Sequence, residues 1–163
     1  MKKYVAMLLS ILFLLSGCSH STAYEKPASF YYCSATFQYE SGDSAIVAEI
    51  RESAGCSTLE EIMQLYLAGP DNVELVSPFP NGLRLIRHHQ EGETLYLLFS
   101  EELAQLSNLS LSMACGCITM TCLTLTDATQ VTIEANESLL DGQKSITMER
   151  DSLILSDHAA EGK

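Results

Sequence analysis

Three cysteines, two histidines and a pair of glutamates are the residues whose types and spacing invite chemistry. Cys115, Cys117 and Cys122 lie close together, and His88 and His89 could join them as metal ligands. Zinc wants about four ligands converging on a tetrahedron, and thiolates usually supply it from loops. Here the cysteines fall in a stretch that reads as helix. Cys115 and Cys122 would then sit two turns apart on one face, and Cys117 would point about 200° away from Cys115. Such a set does not converge. Small buried hydrophobes or a disulfide are the expectation, with a soft-metal or redox role as the rival. His88 and His89 are neighbours near the end of a predicted strand, so they point to opposite faces and read as exposed hairpin residues. Glu101 and Glu102 could suggest acid–base work, but a catalytic pair needs two carboxylates in distinct environments at a cleft. Directly before a helix they read as caps. No Gly-x-Ser-x-Gly elbow starts a hydrolase triad, and no glycine-rich phosphate loop occurs. The reading is no catalytic residue, no metal ligand and no cofactor.

The elements that would position these residues follow from the pattern. Ser29 to Tyr39 is a strand candidate, rich in Phe30, Tyr31, Tyr32, Phe37 and Tyr39. That aromatic set could line a carbohydrate or peptide groove; core packing on one face and hairpin surface on the other is the simpler use. Glu40-Ser41-Gly42-Asp43 is a turn signal. Ser44 to Glu52 is a second strand, with Ile46, Ala48 and Ile50 on one face and Glu49 and Arg51 on the other. The two strands read as a hairpin.

The firmest helix follows. Ser57-Thr58-Leu59-Glu60 has the form of a capping box. Leu59, Ile62, Met63, Tyr66 and Leu67 recur at helical spacing and make one apolar stripe. Gly69 supplies a left-handed stop, and Pro70 cannot continue the helix. Asp71 to Gly82 reads as loop. Leu83 to Gln90 and Glu93 to Ser100 read as strands joined at Glu91-Gly92, with Leu95, Leu97 and Phe99 sharing a face.

From Leu103 to Thr126 no residue is charged. A membrane span is one reading. The many Ser and Thr, Gly116 and the lack of flanking basic anchors favour a buried helix from about Asn108 to Leu123 instead. Its face carries Leu111, Ala114, Cys115, Ile118 and Cys122, broadened by Met113, Cys117 and Met120. Thr129 to Ala135 is a strand, and Lys144 to Met148 and Ser152 to Leu155 are short strand candidates. The tail from Asp157 reads as frayed.

The first residues read as targeting rather than fold. Lys2 and Lys3 are a positive start, Tyr4 to Leu15 is apolar, and Leu15-Ser16-Gly17-Cys18 closes the segment. This resembles the lipobox of bacterial lipoproteins. The resemblance implies a diacylglyceryl group on Cys18 and cleavage before it; an ordinary signal peptide with a chance cysteine is the alternative. Two acyl chains anchor a protein durably where one is marginal. With Lys2 and Lys3 gone, seven of nine basic residues stand against 21 acidic ones, a formal charge of −14. Such a balance argues against nucleic acid, whose phosphates recruit basic side chains. Beyond Cys18, Cys33, Cys56, Cys115, Cys117 and Cys122 are an odd set, so disulfides cannot use them all. Their redox state and pairing stay open at this point.

The ordered set Leu67-Ala68-Gly69-Pro70, Ser77-Pro78-Phe79-Pro80-Asn81-Gly82 and Phe99-Ser100-Glu101-Glu102-Leu103 resembles the GerMN domain, the sporulation and spore-germination domain found largely on exported bacterial proteins. Cys122-Leu123-Thr124 and Val131-Thr132-Ile133 resemble its later pattern. The match runs from about Phe30 to Leu155. Two departures stand out: one copy rather than tandem copies, and a cysteine-rich second helix. The resemblance implies an α+β fold, a single domain with a mixed or antiparallel sheet of about five strands and two helices on one face. It also implies no known catalytic residue and a role in spore formation or germination through protein contacts. The expected organisation is a signal peptide over 1–17, a polar tether over 18–28, a GerMN-like domain over 29–156 and a tail over 157–163. The expected function is a non-enzymatic lipoprotein, held by Cys18 on the outer face of the cytoplasmic membrane of a Gram-positive bacterium and docking envelope or spore-assembly proteins. The alternative is a lipoprotein that binds cell-wall glycan or peptide.

Overall fold

The aromatic strand is built around a single buried face. In the computed structural model, which describes residues 27–37, 44–53, 55–106, 108–139 and 142–152, β1 is Ala28–Ser34 and its even-numbered residues Ala28, Phe30 and Tyr32 are buried. β2 (Ile46–Arg51) pairs with it antiparallel, with Ala28 opposite Arg51 and Cys33 opposite Ile46. The expected hairpin is therefore present, and its turn lies outside the described residues. Residues directly opposed across a pair share a face. Glu49 and Arg51 thus stand on the core side with Phe30 and Ala28, and Ile50 is 72 % exposed. The charged face of β2 points in.

Helix α1 (Leu59–Leu67) buries Leu59, Ile62, Met63 and Tyr66. Its capping box sits one residue later than the sequence pattern suggests. Thr58 is the N-cap, its Oγ1 accepting the Glu61 N–H at 3.3 Å, while Glu61 accepts the Thr58 N–H at 3.3 Å. Glu61 also takes the Ser57 N–H at 2.6 Å and the Ser57 hydroxyl at 3.0 Å. One carboxylate so satisfies the whole approach to the helix, and Glu60 is left free for another partner. The helix stops as expected, with Gly69 at φ +103°.

Within the expected loop, Leu75–Val76 forms β3, pairing antiparallel with the end of β1. Two residues carry no periodicity to read. The sheet order is β2-β1-β3. A second sheet contains β4 (Leu85–Glu91), β5 (Thr94–Phe99), β6 (Gln130–Ala135) and β7 (Ser145–Glu149) in that order. Only the β5–β6 pair in it is parallel. Parallel neighbours need a long crossover, and α2 (Asn108–Leu125) supplies it. A 3₁₀ turn over Arg150–Ser152 follows β7; the rest of the strand expected from Ser152 to Leu155 lies outside the described residues.

The fold is α+β with two α-helices among the described residues, as expected. Its strands number seven among the described residues and divide between two sheets. The division has a physical cause at β1. Along Ser29 to Tyr31 the edge of β1 is taken by α2 rather than by a strand: the Tyr31 N–H donates to Thr121 Oγ1 at 2.9 Å, and the Thr124 hydroxyl shares its one proton between the Thr121 carbonyl at 2.8 Å and the Ser29 carbonyl at 3.3 Å. Helix hydroxyls satisfy backbone groups that would otherwise need a ladder partner. By length and composition α2 could cross a bilayer. Here it is a core helix, buried without a break from Ala114 to Cys122 and packed against β1, β6 and β7. Because elements lie on several sides of it, the predicted one-sided face becomes burial all round.

Candidate functional site

Of the three sequence stretches that carry the GerMN resemblance, the first two meet at Tyr66, and the third packs beside the second. Its ring stacks on Phe30 at 5.4 Å, tilts against Tyr32 at 5.1 Å and meets Phe79 edge-on at 4.9 Å. The helix stop and the proline-rich crossing are thus fastened to each other through one aromatic cluster. The third stretch docks onto the same crossing. Ser100 is buried; its Oγ accepts the Arg84 N–H at 3.1 Å and its own N–H donates to the Arg84 carbonyl at 3.0 Å. Glu102 reaches back to the Asn81-Gly82 turn, where a Cβ on Gly82 would lie 3.8 Å from Glu102 Oε1. The Ser100 hydroxyl beside it holds the Glu102 carboxyl below its usual range. Glu101 and Glu102 belong to a 3₁₀ turn, Glu101–Gln105, and so do not cap α2 directly.

Two charged residues of β2 hold this assembly from below. The Arg51 side chain is only 10 % exposed. Its Nη1 donates to the Gly69 carbonyl at 3.0 Å, and its Nη2 donates to the Leu65 carbonyl at 3.1 Å and to the Tyr32 hydroxyl at 2.9 Å. Those carbonyls belong to the end of α1, where orphan acceptors and the negative end of the helix dipole favour a cation. The guanidinium also lies 4.6 Å from the centre of the Phe30 ring, a cation–π contact. Arg51 Nε is 3.4 Å from Glu49 Oε2 but too poorly aligned to hydrogen-bond it, so that contact is one of charge alone. Glu49 in turn accepts the backbone N–H groups of Asp71 at 3.1 Å and Asn72 at 2.7 Å. The pair Glu49 and Arg51 therefore grips both sides of the helix stop.

The Tyr32 hydroxyl closes the network by donating to the Tyr66 carbonyl at 2.7 Å, and the Tyr66 hydroxyl donates to the Tyr31 carbonyl at 2.8 Å. Burial pushes both phenols well above their ordinary range. Neither can act as a base near neutrality. Phe30 and Tyr32, expected as groove candidates, are fully buried; Phe37 is 38 % exposed, and Tyr39 lies outside the described residues. An open groove of about 460 Å³ does run between α1 and the start of β4, lined by Glu60, Gln64, Leu67, Leu83, Arg84 and Leu85 among others.

The sequence candidates for chemistry are dispersed. His88 Nε2 meets Glu60 Oε1 at 2.8 Å, tying β4 to α1. The Glu60 carboxyl is held below its usual range, by its own backbone N–H first and by His88 in smaller part. His89 points the other way and stacks on Tyr96 at 4.7 Å. Cys115 and Cys122 are buried, which pushes each thiol up to about 12. Cys117 faces Cys33 on β1. Among the described residues no three His, Cys, Asp or Glu side chains gather as metal ligands. Cys18 lies outside the described residues. The residues that sequence reading missed are Glu49 and Arg51. Their only signal was two opposite charges on alternate positions of a strand, in a chain with just nine basic residues.

Comparisons with known proteins fit this geometry. No protein-family model matches the sequence, and no curated protein matches it either. Among solved structures, the fold is similar to the tandem GerMN domains of the sporulation protein GerM from Bacillus subtilis, at 17 % identity and a TM-score of 0.52. The match covers 74 % of this chain and 44 % of that one, so this chain spans less than half of the tandem structure. A Clostridium perfringens protein described as a lipoprotein is also similar, at 14 % identity and a TM-score of 0.45, over 81 % of this chain and 92 % of its own. The chain therefore has a GerMN-like fold.

Proposed function

We propose that this chain is a non-enzymatic, lipid-anchored envelope protein whose GerMN-like domain docks other envelope or spore-assembly proteins in sporulation or spore germination. The observation that carries the reading is the chain of contacts among the three GerMN-like stretches, from Tyr66 to Phe79 and from Gly82 to Glu102, in a fold similar to domains of a sporulation protein. The polar groups in and around those stretches are spent within the fold. Ser100 binds Arg84, Arg51 binds the end of α1, and Glu49 binds the loop after it. What they build is a rigid scaffold rather than a reactive cleft. The sequence Leu15-Ser16-Gly17-Cys18 supports the anchor.

Metabolic labelling with a fatty-acid analogue tests the anchor. The wild-type chain should take up label and Cys18→Ala should not; equal labelling of both would sink the lipoprotein assignment. Retention on purified peptidoglycan tests the docking role against glycan or peptide capture. The docking reading expects no saturable retention, and saturable retention would overturn it.

A further inference from the structure

The five cysteines of the domain are not equivalent, and the packing of α2 along β1 selects two of them. The contacts step in register. Thr124 meets Ser29, then Thr121 meets Tyr31. Two residues along a strand advance about 6.7 Å, and four residues back along a helix advance about 6 Å. The next step therefore sets Cys33 against Cys117, and the two thiols are near enough to perturb one another.

We propose that Cys33 and Cys117 are a dithiol that closes to a disulfide by exchange with a disulfide oxidant, Cys33 attacking and Cys117 resolving. The roles follow from access. Cys33 is half-buried near the end of β1, whereas Cys117 is fully enclosed by the core. The neighbouring Cys117 holds the Cys33 thiol below its usual range, favouring the Cys33 thiolate; Cys117 is raised, by Cys33 first and then by burial. A thiolate that is both favoured and reachable is the one that attacks. The Cys33 thiolate opens the S–S bond of the oxidant, forms a mixed disulfide and releases one thiolate. Cys117, losing its proton, attacks the Cys33 sulfur and expels the second. Two S–H bonds become one S–S bond, and the oxidant takes both electrons and both protons as two thiols. Cys115 and Cys122 are fully buried, where no oxidant reaches them. The bond would join the first strand to the long helix, residues 84 apart, and close a long loop in the unfolded chain.

Oxidised glutathione is the probe. The reduced, folded full chain is incubated with it, alkylated under denaturing conditions and mapped without reduction by mass spectrometry, with fragmentation to separate Cys115, Cys117 and Cys122. The expected result is a Cys33–Cys117 cross-link and a melting temperature about 5 °C or more above that of the reduced protein. In Cys117→Ser the glutathionyl group should stay trapped on the Cys33 peptide; in Cys33→Ser the Cys117 peptide should stay unmodified. Full alkylation of the wild-type Cys33 peptide after oxidation, or its linkage to another cysteine, would overturn the proposal. The wild-type map decides the pairing even if Cys117→Ser fails to fold.

Discussion

Arg51 hydrogen-bonds the carbonyl of Gly69 across 3.0 Å, joining the last residue of one strand to the residue that stops a helix. The guanidinium there is nearly buried and meets two carbonyls, a phenol and an aromatic face. Removing it strands all of them. Arg51→Met, which keeps the stem and drops the charge, should cost about 3 kcal/mol. Arg51→Lys should recover less than half, because one ammonium cannot span both carbonyls as the planar fork does. Urea denaturation measures both, and an Arg51→Met variant as stable as wild type would show that the clamp holds nothing.

Gly69 itself makes a second prediction. Its φ of +103° is a conformation that side chains disfavour, while the nearest atom to a Cβ there, Ser77 Cβ, is 3.9 Å away. Space is available, so the penalty is in the backbone rather than in a clash. Gly69→Val should lose about 1–2 kcal/mol, with Gly69→Asn losing less. Thermal melts in which Asn and Val cost the same would point to packing instead.

Acid should weaken the fold through its caps. Hydrogen bonds from Ser57 hold the Glu61 carboxyl below its usual range, and the Ser100 hydroxyl does so for Glu102. An acid whose pKa is depressed on folding stabilises the fold above its unfolded value of about 4.3. It loses that contribution as pH falls through the lower folded value. The melting temperature should therefore drop below about pH 4, and Glu61→Gln should flatten the drop. Identical acid-side slopes for the two proteins would remove Glu61 from the account.

Much of this architecture was legible because local signals agreed. The helix stripe from Leu59 to Tyr66, the stop at Gly69-Pro70, the Glu91-Gly92 hairpin and the alternation of Leu95, Leu97 and Phe99 all stand where the pattern puts them. The errors have physical reasons. Two adjacent Ser/Thr residues and two adjacent glutamates allow two capping registers, and only the three-dimensional approach selects Thr58 with Glu61. The inward turn of Glu49 and Arg51 was invisible because their reward, the polar end of α1, lies in another element. The Cys33–Cys117 contact joins positions that no spacing rule connects. Of the candidate site, the sequence showed which stretches belong together; it did not show that Tyr66 joins the helix stop to Phe79.

The threonines of α2 have a consequence beyond the strand edge they satisfy. On the export route proposed above, the chain would cross the translocation channel before it folds, and an uncharged 18-residue segment would risk leaving sideways into lipid. Thr119, Thr121 and Thr124 would lower its hydrophobicity on the way. Once it has folded, Thr121 and Thr124 serve as its seam with β1. Replacing these residues by valine would suit a core on paper. It would also move the segment toward a stop-transfer sequence, so on that proposed route the same hydroxyls that join helix to strand would favour passage as well.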